Sequence, residues 1–385
     1  MKRFSTWLLT MLLFFSVIGS VSAQDQPLFT VQAKSAVLMD FDTGRILFQQ
    51  DAEQTLLPAS LVKIMNLYVA FDAIDQGTVR LDDRFPVSIH AWQPVGSKMF
   101  IKEGEKVSVD DLLKGIAIVS GNDACIALAE GIAGVTEVYV QWMNDKAAKL
   151  GLTGTNFTDV HGLDDSAKQY TTALDIAKLS RAYIKDHPEA LTYHSTKEFT
   201  YNGITQKNRN GLLWSYPGTD GLKTGHLSKV GYNLCATAEQ NGMRLIAVVL
   251  GSSSESVREN EARKLLNYGF RNFEKAKATE LVTPISKPIY KGKVGKVNVV
   301  PATDFTMLVP VGAKDQIRIV KEIKEPLVAP IKKGQSVGEF KFYWQDELLG
   351  STEATVEEDV PKAGFFKSLW DSIRLLFAKL FAKKS

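Results

Sequence analysis

Cysteine is scarce: the chain holds two, Cys125 and Cys235. Two thiols cannot build a disulfide framework, so an apolar core must carry the fold. A single bridge between them and two separate buried thiols both fit the sequence. Histidine is nearly as rare, and His90, His161, His187, His194 and His226 show no zinc-ligand spacing. No metal or other cofactor is therefore expected. No glycine-rich phosphate loop is present. The formal net charge of +3 is too small to argue for nucleic acid.

Apolar stretches long enough to span a membrane are also missing. The stretch Trp7 to Ile18 is about a dozen residues, short for a span. It follows Lys2 and Arg3 and precedes the small residues Val21-Ser22-Ala23. That order reads as a secretory signal peptide over residues 1–23, with the mature chain beginning near Gln24. An uncleaved N-terminal anchor could begin the same way. Export would place the protein in an oxidising compartment.

What is present is organised around Pro58-Ala59-Ser60-Leu61-Val62-Lys63. Pro58 suits the approach to a helix, and Leu61, Ile64, Met65, Leu67, Tyr68 and Val69 then keep helical spacing to about Asp75. Residues three apart share a helix face, so Ser60 and Lys63 would point the same way. A serine hydroxyl becomes a good nucleophile when a neighbouring base takes its proton, and a lysine of lowered pKa can be that base. By itself the tetrapeptide equally fits an N-cap serine and a solvated lysine.

The remaining elements follow in order. Ala36–Asp40 and Arg45–Phe48 flank an Asp-Thr-Gly turn and predict a hairpin. Residues 82–111 read as loops and short strands. Asp110–Ile118 and Cys125–Ile132 read as helices around the loop Val119-Ser120-Gly121-Asn122-Asp123. Val135–Leu150 is amphipathic, with Val138, Trp142, Met143 and Ala147 at helical spacing and Gly151 as its cap. Thr172 and Asp175 form a capping box for a helix ending near Asp186-His187-Pro188. Lys197–Tyr201 is a strand. Tyr232–Ala238 and Arg244–Leu250 are strands joined by an Asn-Gly turn, and Val257–Phe273 is a helix. Strands at both ends with helices between predict an α+β domain over residues 24–275, an antiparallel sheet with helices on both faces. Residues 276–360 alternate in short Val/Ile-rich runs and predict a small all-β domain, a spacer or partner-binding module. Residues 361–385 form an amphipathic helix. Phe365, Phe366, Leu369, Trp370, Ile373, Leu376, Phe377, Leu380 and Phe381 make one face; Lys367, Asp371 and Arg374 lie opposite, and Lys379, Lys383 and Lys384 lie near the end. Such a helix lies in a membrane interface through residues 364–385 rather than spanning it.

Three short motifs stand in order: Ser60-Leu61-Val62-Lys63, Ser120-Gly121-Asn122 and Lys223-Thr224-Gly225. Together they match a known signature of serine acyl-transfer enzymes, with Gly121 where the common form has Asp. The chain resembles the low-molecular-mass penicillin-binding proteins of the type-5/6 group, serine-type D-alanyl-D-alanine carboxypeptidases. His226, His161-Gly162-Leu163, Asn208 to Trp214 and Arg258 add to the likeness, which runs from the leader through the β-rich domain to the tail.

The resemblance implies the following roles. Ser60 attacks the penultimate D-Ala carbonyl, and Lys63 takes its proton, its pKa lowered by burial and by Lys223. Ser120 relays a proton to the leaving amine, and Asn122 holds the substrate backbone. Thr224, with Arg209 or Arg258, receives the terminal carboxylate, while Lys223 supplies positive potential. Gly225 and His226 line the strand edge, and backbone N–H groups of Ser60 and His226 form the oxyanion hole. Asp186 and His161 are candidates for assisting deacylation. The implied partners are peptidoglycan pentapeptide stems, β-lactam antibiotics and a membrane surface. The implied place is the periplasmic side of the inner membrane. A class A β-lactamase would carry a water-activating Glu beyond the middle motif, and Thr155 to Ser166 contains none. The same motifs would also suit a D,D-endopeptidase or a catalytically silent scaffold.

Overall fold

The structure, a computed structural model, describes residues 29–382. The leader at residues 1–23 lies outside the described residues, as do the side chains of Lys379, Leu380 and Phe381 and residues 383–385.

A five-stranded antiparallel sheet organises the first part of the chain. Its strands are β1 (Ser35–Asp40), β2 (Ile46–Gln50), β3 (Thr219–Leu227), β4 (Gly231–Gln240) and β5 (Met243–Ser252), in the spatial order β2-β1-β5-β4-β3. Side chains alternate faces along a strand, and β5 shows why its run is apolar throughout. Ile246, Val248 and Leu250 enter one core, while Leu245, Ala247 and Val249 enter the other. A sheet covered on both faces has no polar side to reveal.

The larger core is built by helices on one face of the sheet. These are α1 (Val62–Asp75), α2 (Val109–Ala117), α3 (Asn122–Ala133), α4 (Thr136–Lys149), α5 (Ala173–Asp186) and α6 (Ala190–Ser195). On the opposite face lies α7 (Glu255–Asn272), which packs Ala262, Leu265 and Leu266 on β4 and β5. The expected layering is thus present. α1 is buried from Val62 to Phe71 on every side, as a helix apolar all round must be. This central placement buries Lys63 at its start.

Several local expectations change. The loop before α3 is shorter than the sequence suggests: Asn122 and Asp123 already belong to the helix, with Gly121 as N-cap. In α4 the buried face is Tyr139, Met143 and Ala147, while Val138 and Trp142 are exposed. The Thr172 hydroxyl caps α5 by accepting from Asp175 N, but the Asp175 carboxylate turns away and accepts from Gly154 N and Thr155 Oγ1, both at 2.8 Å. It ties a loop rather than closing a box. Lys223-Thr224-Gly225 sits in the middle of β3. Both cysteines are buried and free, Cys235 Sγ lying 3.1 Å from Ser180 Oγ.

Beyond α7, Phe273–Lys277 pairs with Thr306–Pro310, and six strands between Ile285 and Val356 form a second sheet around Phe340, Phe342, Val299 and Val356. Helix α8 (Phe365–Ala382) follows. Its polar face docks on this second sheet: Lys367 Nζ donates to Gly292 O at 2.6 Å, and buried Asp371 accepts from Lys291 N at 2.7 Å. Arg374 covers the Tyr290 ring at 5.5 Å. The apolar face points away, leaving Phe365, Phe366, Leu369, Trp370, Ile373, Leu376 and Phe377 exposed. Among the described residues no helix is long and apolar enough to cross a membrane.

Candidate active site

Ser60 sits in the single 3-10 turn Ala59–Leu61 that precedes α1. The turn is clamped from three sides. Asn233, fully buried on β4, donates to Leu57 O and Pro58 O at 3.1 and 3.2 Å. Gly225 brings β3 against it: a Cβ there would stand 3.1 Å from Pro58 O and 3.2 Å from Ser60 N. Gly162 closes the third side, where a Cβ would overlap the Ala59 carbonyl oxygen. Ala59 itself holds φ +50°, a conformation costing about 1–3 kcal/mol that only such confinement maintains.

Lys63 Nζ has three neighbours: Ser60 Oγ at 3.0 Å, Asn122 Oδ1 at 2.8 Å and His161 O at 2.6 Å. Two of these are carbonyl oxygens, which only accept. Asn122 Nδ2 donates to Val95 O at 2.7 Å, which fixes the amide orientation. A neutral amine therefore spends both its N–H groups on Asn122 and His161, and its lone pair is left for the Ser60 hydroxyl. Burial lowers the Lys63 pKa, and the Arg209 guanidinium adds to this against Asp159 and Asp123. Lys63 and Lys223 repel each other when both are charged, and this repulsion helps depress Lys223.

Lys223 Nζ reaches Ser120 Oγ at 3.0 Å and Thr224 O at 3.1 Å. Burial first, then Lys63 and Arg209, push its pKa well below the ordinary lysine value. Ser120 is buried with φ +63°, so its hydroxyl is held between the two lysine-bearing elements. The structure thus ties Ser60, Lys63 and Asn122 into one hydrogen-bonded group and Ser120, Lys223 and Thr224 into a second, the two meeting along the chain at Ser120-Gly121-Asn122.

The glycine at 121 has a local reason. A Cβ there would stand 2.9 Å from Asp123 Oδ1 and 3.1 Å from Met99 N. Asp123 uses that space: its carboxylate accepts from Met99 N and Phe100 N, both at 2.9 Å, holding the 97–101 segment over the site.

The two arginines separate. Arg258 is 2% exposed; its Nη2 donates to Arg209 O and pairs with Glu255 Oε1, each at 3.3 Å. It lies under the Tyr232 ring, which stacks on exposed His226 at 4.1 Å. Arg209 is exposed, and among the described residues it makes no ion pair. Arg258 supports; Arg209 faces outward. The deacylation candidates do not converge on Ser60. Asp186 binds Tyr68 OH, and the His161 ring lies 3.2 Å from Asp159 Oδ2 while only its backbone oxygen meets Lys63.

Sequence reasoning missed several supports. Asp159 accepts from His161 N, Gly162 N and Asp164 N at 3.0, 2.5 and 2.7 Å, which shapes the loop carrying His161 O. Burial opposes its charge, yet the His161 ring and these N–H groups hold its pKa below the usual range. His194 Nδ1 lies 2.8 Å from Leu222 O, and Asn210 Nδ2 donates to Gly221 O at 2.9 Å. Both fix β3 just before Lys223. Asn210 lies in the Asn208 to Trp214 stretch that carries the family likeness, whereas Asp159 and His194 stand in polar surroundings where nothing local sets them apart.

Known proteins are similar to this chain. A profile of the D-alanyl-D-alanine carboxypeptidase family matches residues 20–254, and one described as penicillin-binding protein 5, C-terminal domain, matches residues 273–362. The chain belongs to the D-alanyl-D-alanine carboxypeptidase family. It is 42% identical over 367 residues to D-alanyl-D-alanine carboxypeptidase DacC of Escherichia coli K12, covering 91% of this chain and 90% of that protein. Penicillin-binding protein 5 from Haemophilus influenzae superposes with a TM-score of 0.76 at 40% identity, over 87% of this chain and 99% of that one. Penicillin-binding protein D2 from Listeria monocytogenes, in an ampicillin-bound form, gives 0.59 at 31% identity over 64% of this chain and all (100%) of that one.

Proposed function

We infer that this family member is a serine-type carboxypeptidase that removes the terminal D-Ala from peptidoglycan pentapeptide stems through an acyl-enzyme on Ser60. The observation that carries the residue assignment is the set of contacts at Lys63: Asn122 Oδ1 and His161 O, which can only accept, and Ser60 Oγ at 3.0 Å, the one neighbour able to give a proton to the neutral amine.

The substrate adds along β3 by main-chain hydrogen bonds, with its terminal carboxylate at Thr224 and Arg209. Ser60 Oγ forms a bond to the penultimate carbonyl carbon as its proton passes to Lys63. Backbone N–H groups of Ser60 and His226 receive the developing oxyanion. Collapse breaks the C–N bond, and the departing D-Ala amine takes a proton by way of Ser120. Water then cleaves the ester. β-Lactams enter by the same attack, consistent with the ampicillin complex of the Listeria relative. The N-terminal leader supports export. The outward apolar face of α8 supports attachment to the outer leaflet of the inner membrane from the periplasmic side.

Mass spectrometry of a stem pentapeptide ending in D-Ala-D-Ala tests the reading. Loss of one alanine with the parent and none with Ser60→Ala is the expected result. Survival of the pentapeptide while a cross-linked dimer is cut would make it an endopeptidase. Rapid penicillin hydrolysis instead would make it a β-lactamase, and no reaction with either would leave a scaffold.

A further inference from the structure

A second polar cluster lies at the far end of α1. His187 follows α5 and is 2% exposed, packed edge-on against Tyr68 and beside Phe71. Its Nε2 stands 2.9 Å from Asp72 Oδ1. Its Nδ1 stands 3.0 Å from Asp75 Oδ2 and 3.7 Å from Glu189 Oε1, yet makes a hydrogen bond with neither. A buried ring nitrogen is thus aimed between two carboxylates without a partner.

Carboxylates outnumber cations around it, the nearby cations being Lys146 and Lys185. Asp72 and Asp75 lie in the last turn of α1, which has no basic residue there, and Asp186 ends α5. Helix C-termini already carry partial negative charge, so carboxylates there are unfavourable unless a cation compensates. Lys146 answers Asp72 at 2.6 Å, and Asp186 binds Tyr68 OH. Asp75 and Glu189 have only His187 Nδ1 within ion-pair distance among the described residues.

We propose that Asp75, His187 and Glu189 bind one divalent transition-metal ion, with zinc the best match to one imidazole and two carboxylates. The three ligand atoms lie within 4.8 Å of one another. Tetrahedral zinc with bonds near 2.0–2.1 Å has ligand–ligand edges of about 3.3 Å, which the 3.0 and 3.7 Å separations bracket. The Asp72 contact fits a metal-bound imidazole. A metal-bound histidine typically donates its other ring N–H to a carboxylate, which fixes the tautomer. With Nε2–H given to Asp72, Nδ1 keeps its lone pair and faces Asp75 and Glu189. Calcium and magnesium prefer all-oxygen sets and suit this site poorly.

The ion would join the end of α1 to the α5–α6 link. Along α1 it stands about 18 Å from Lys63, so it acts on stability and not on the reacting atoms. Because Asp75 and Glu189 are more than half exposed, changing them spares the core. The test is calorimetric titration of chelator-treated full-length protein with zinc chloride, beside thermal unfolding. The expected result is one zinc per chain and a melting temperature several degrees higher at saturation. Both effects should vanish in Asp75→Ala/Glu189→Ala, with penicillin acylation of Ser60 unchanged. No uptake by the parent, or equal uptake and equal thermal shift in parent and variant, overturns the proposal.

Discussion

Gly162 packs its α-carbon directly on the Ala59 carbonyl. At φ +91° it adopts a conformation that a β-carbon disfavours, and that β-carbon would also overlap Ala59 O. One contact thereby couples the loop that holds Lys63, through His161 O, to the turn that presents Ser60.

Gly162→Ala must push these two segments apart. Positive-φ strain alone costs about 1–3 kcal/mol, and the clash is with backbone that cannot rotate away. Acylation by a fluorescent penicillin should slow by about 100-fold, the scale of a misplacement near 1 Å. Equal acylation rates for variant and parent would show that the contact does not position Ser60.

Lys63 acts as a base only when neutral. Its pKa is lowered by burial, so the neutral fraction persists to lower pH than for an exposed lysine. The acylation rate should rise with pH and level off below the ordinary lysine range. Lys63→Arg, which stays charged, should lose acylation by about 100-fold or more at every pH. A pH–rate profile whose rising limb sits at the value of free lysine would contradict this.

Arg209 and Arg258 should fail differently. Arg209→Gln removes an outward guanidinium and should lower kcat/KM for a free-carboxylate peptide by about 10- to 100-fold, leaving the melting temperature nearly unchanged. Arg258→Gln removes a buried bond to Arg209 O and should lower the melting temperature. Steady-state kinetics and thermal unfolding on both variants separate binding from support.

His194 is buried and neutral, its pKa pushed down to about 3 by burial. The unfolded chain binds a proton near pH 6.5 that the folded chain refuses until about pH 3. Stability from this group is therefore complete above pH 6.5 and falls with pH below it, by at most about 1.4 kcal/mol per pH unit. In the metal-free protein His187, whose pKa is raised by its carboxylates against the cost of burial, contributes in the opposite sense: its part is full below pH 6.5 and is lost as pH rises through the raised value. Urea unfolding between pH 4 and 7 should show a shallower decline in His194→Gln than in the parent. Parallel curves would rule out His194 as the titrating group.

The exposed face of α8 should bind lipid. Each large side chain moved from water into the interface contributes about 1.5–3 kcal/mol when fully buried. Leu369→Ser/Trp370→Ser should therefore release the protein from anionic vesicles in a sedimentation assay. Hydrolysis of a soluble peptide should be unaffected, because the altered face makes no contact with the site.

The sequence by itself carried the strand alternation, the helix spacings, the three motifs and the two-faced tail. Each is a local pattern, set by side-chain periodicity within a few turns. It could not carry the partner of Asp175, the buried face of α4 or the difference between Arg209 and Arg258, since these depend on which element packs opposite. The lone pair of Lys63 is the clearest case. Spacing placed Ser60 beside it, but the two acceptors that consume its N–H groups come from Asn122 and His161, 59 and 98 residues away. The cluster at His187 belongs to the same class. Asp72 and Asp75 reach it from one helix and Glu189 from a turn more than a hundred residues later, and only the packing of α1 against α5 sets them around one nitrogen.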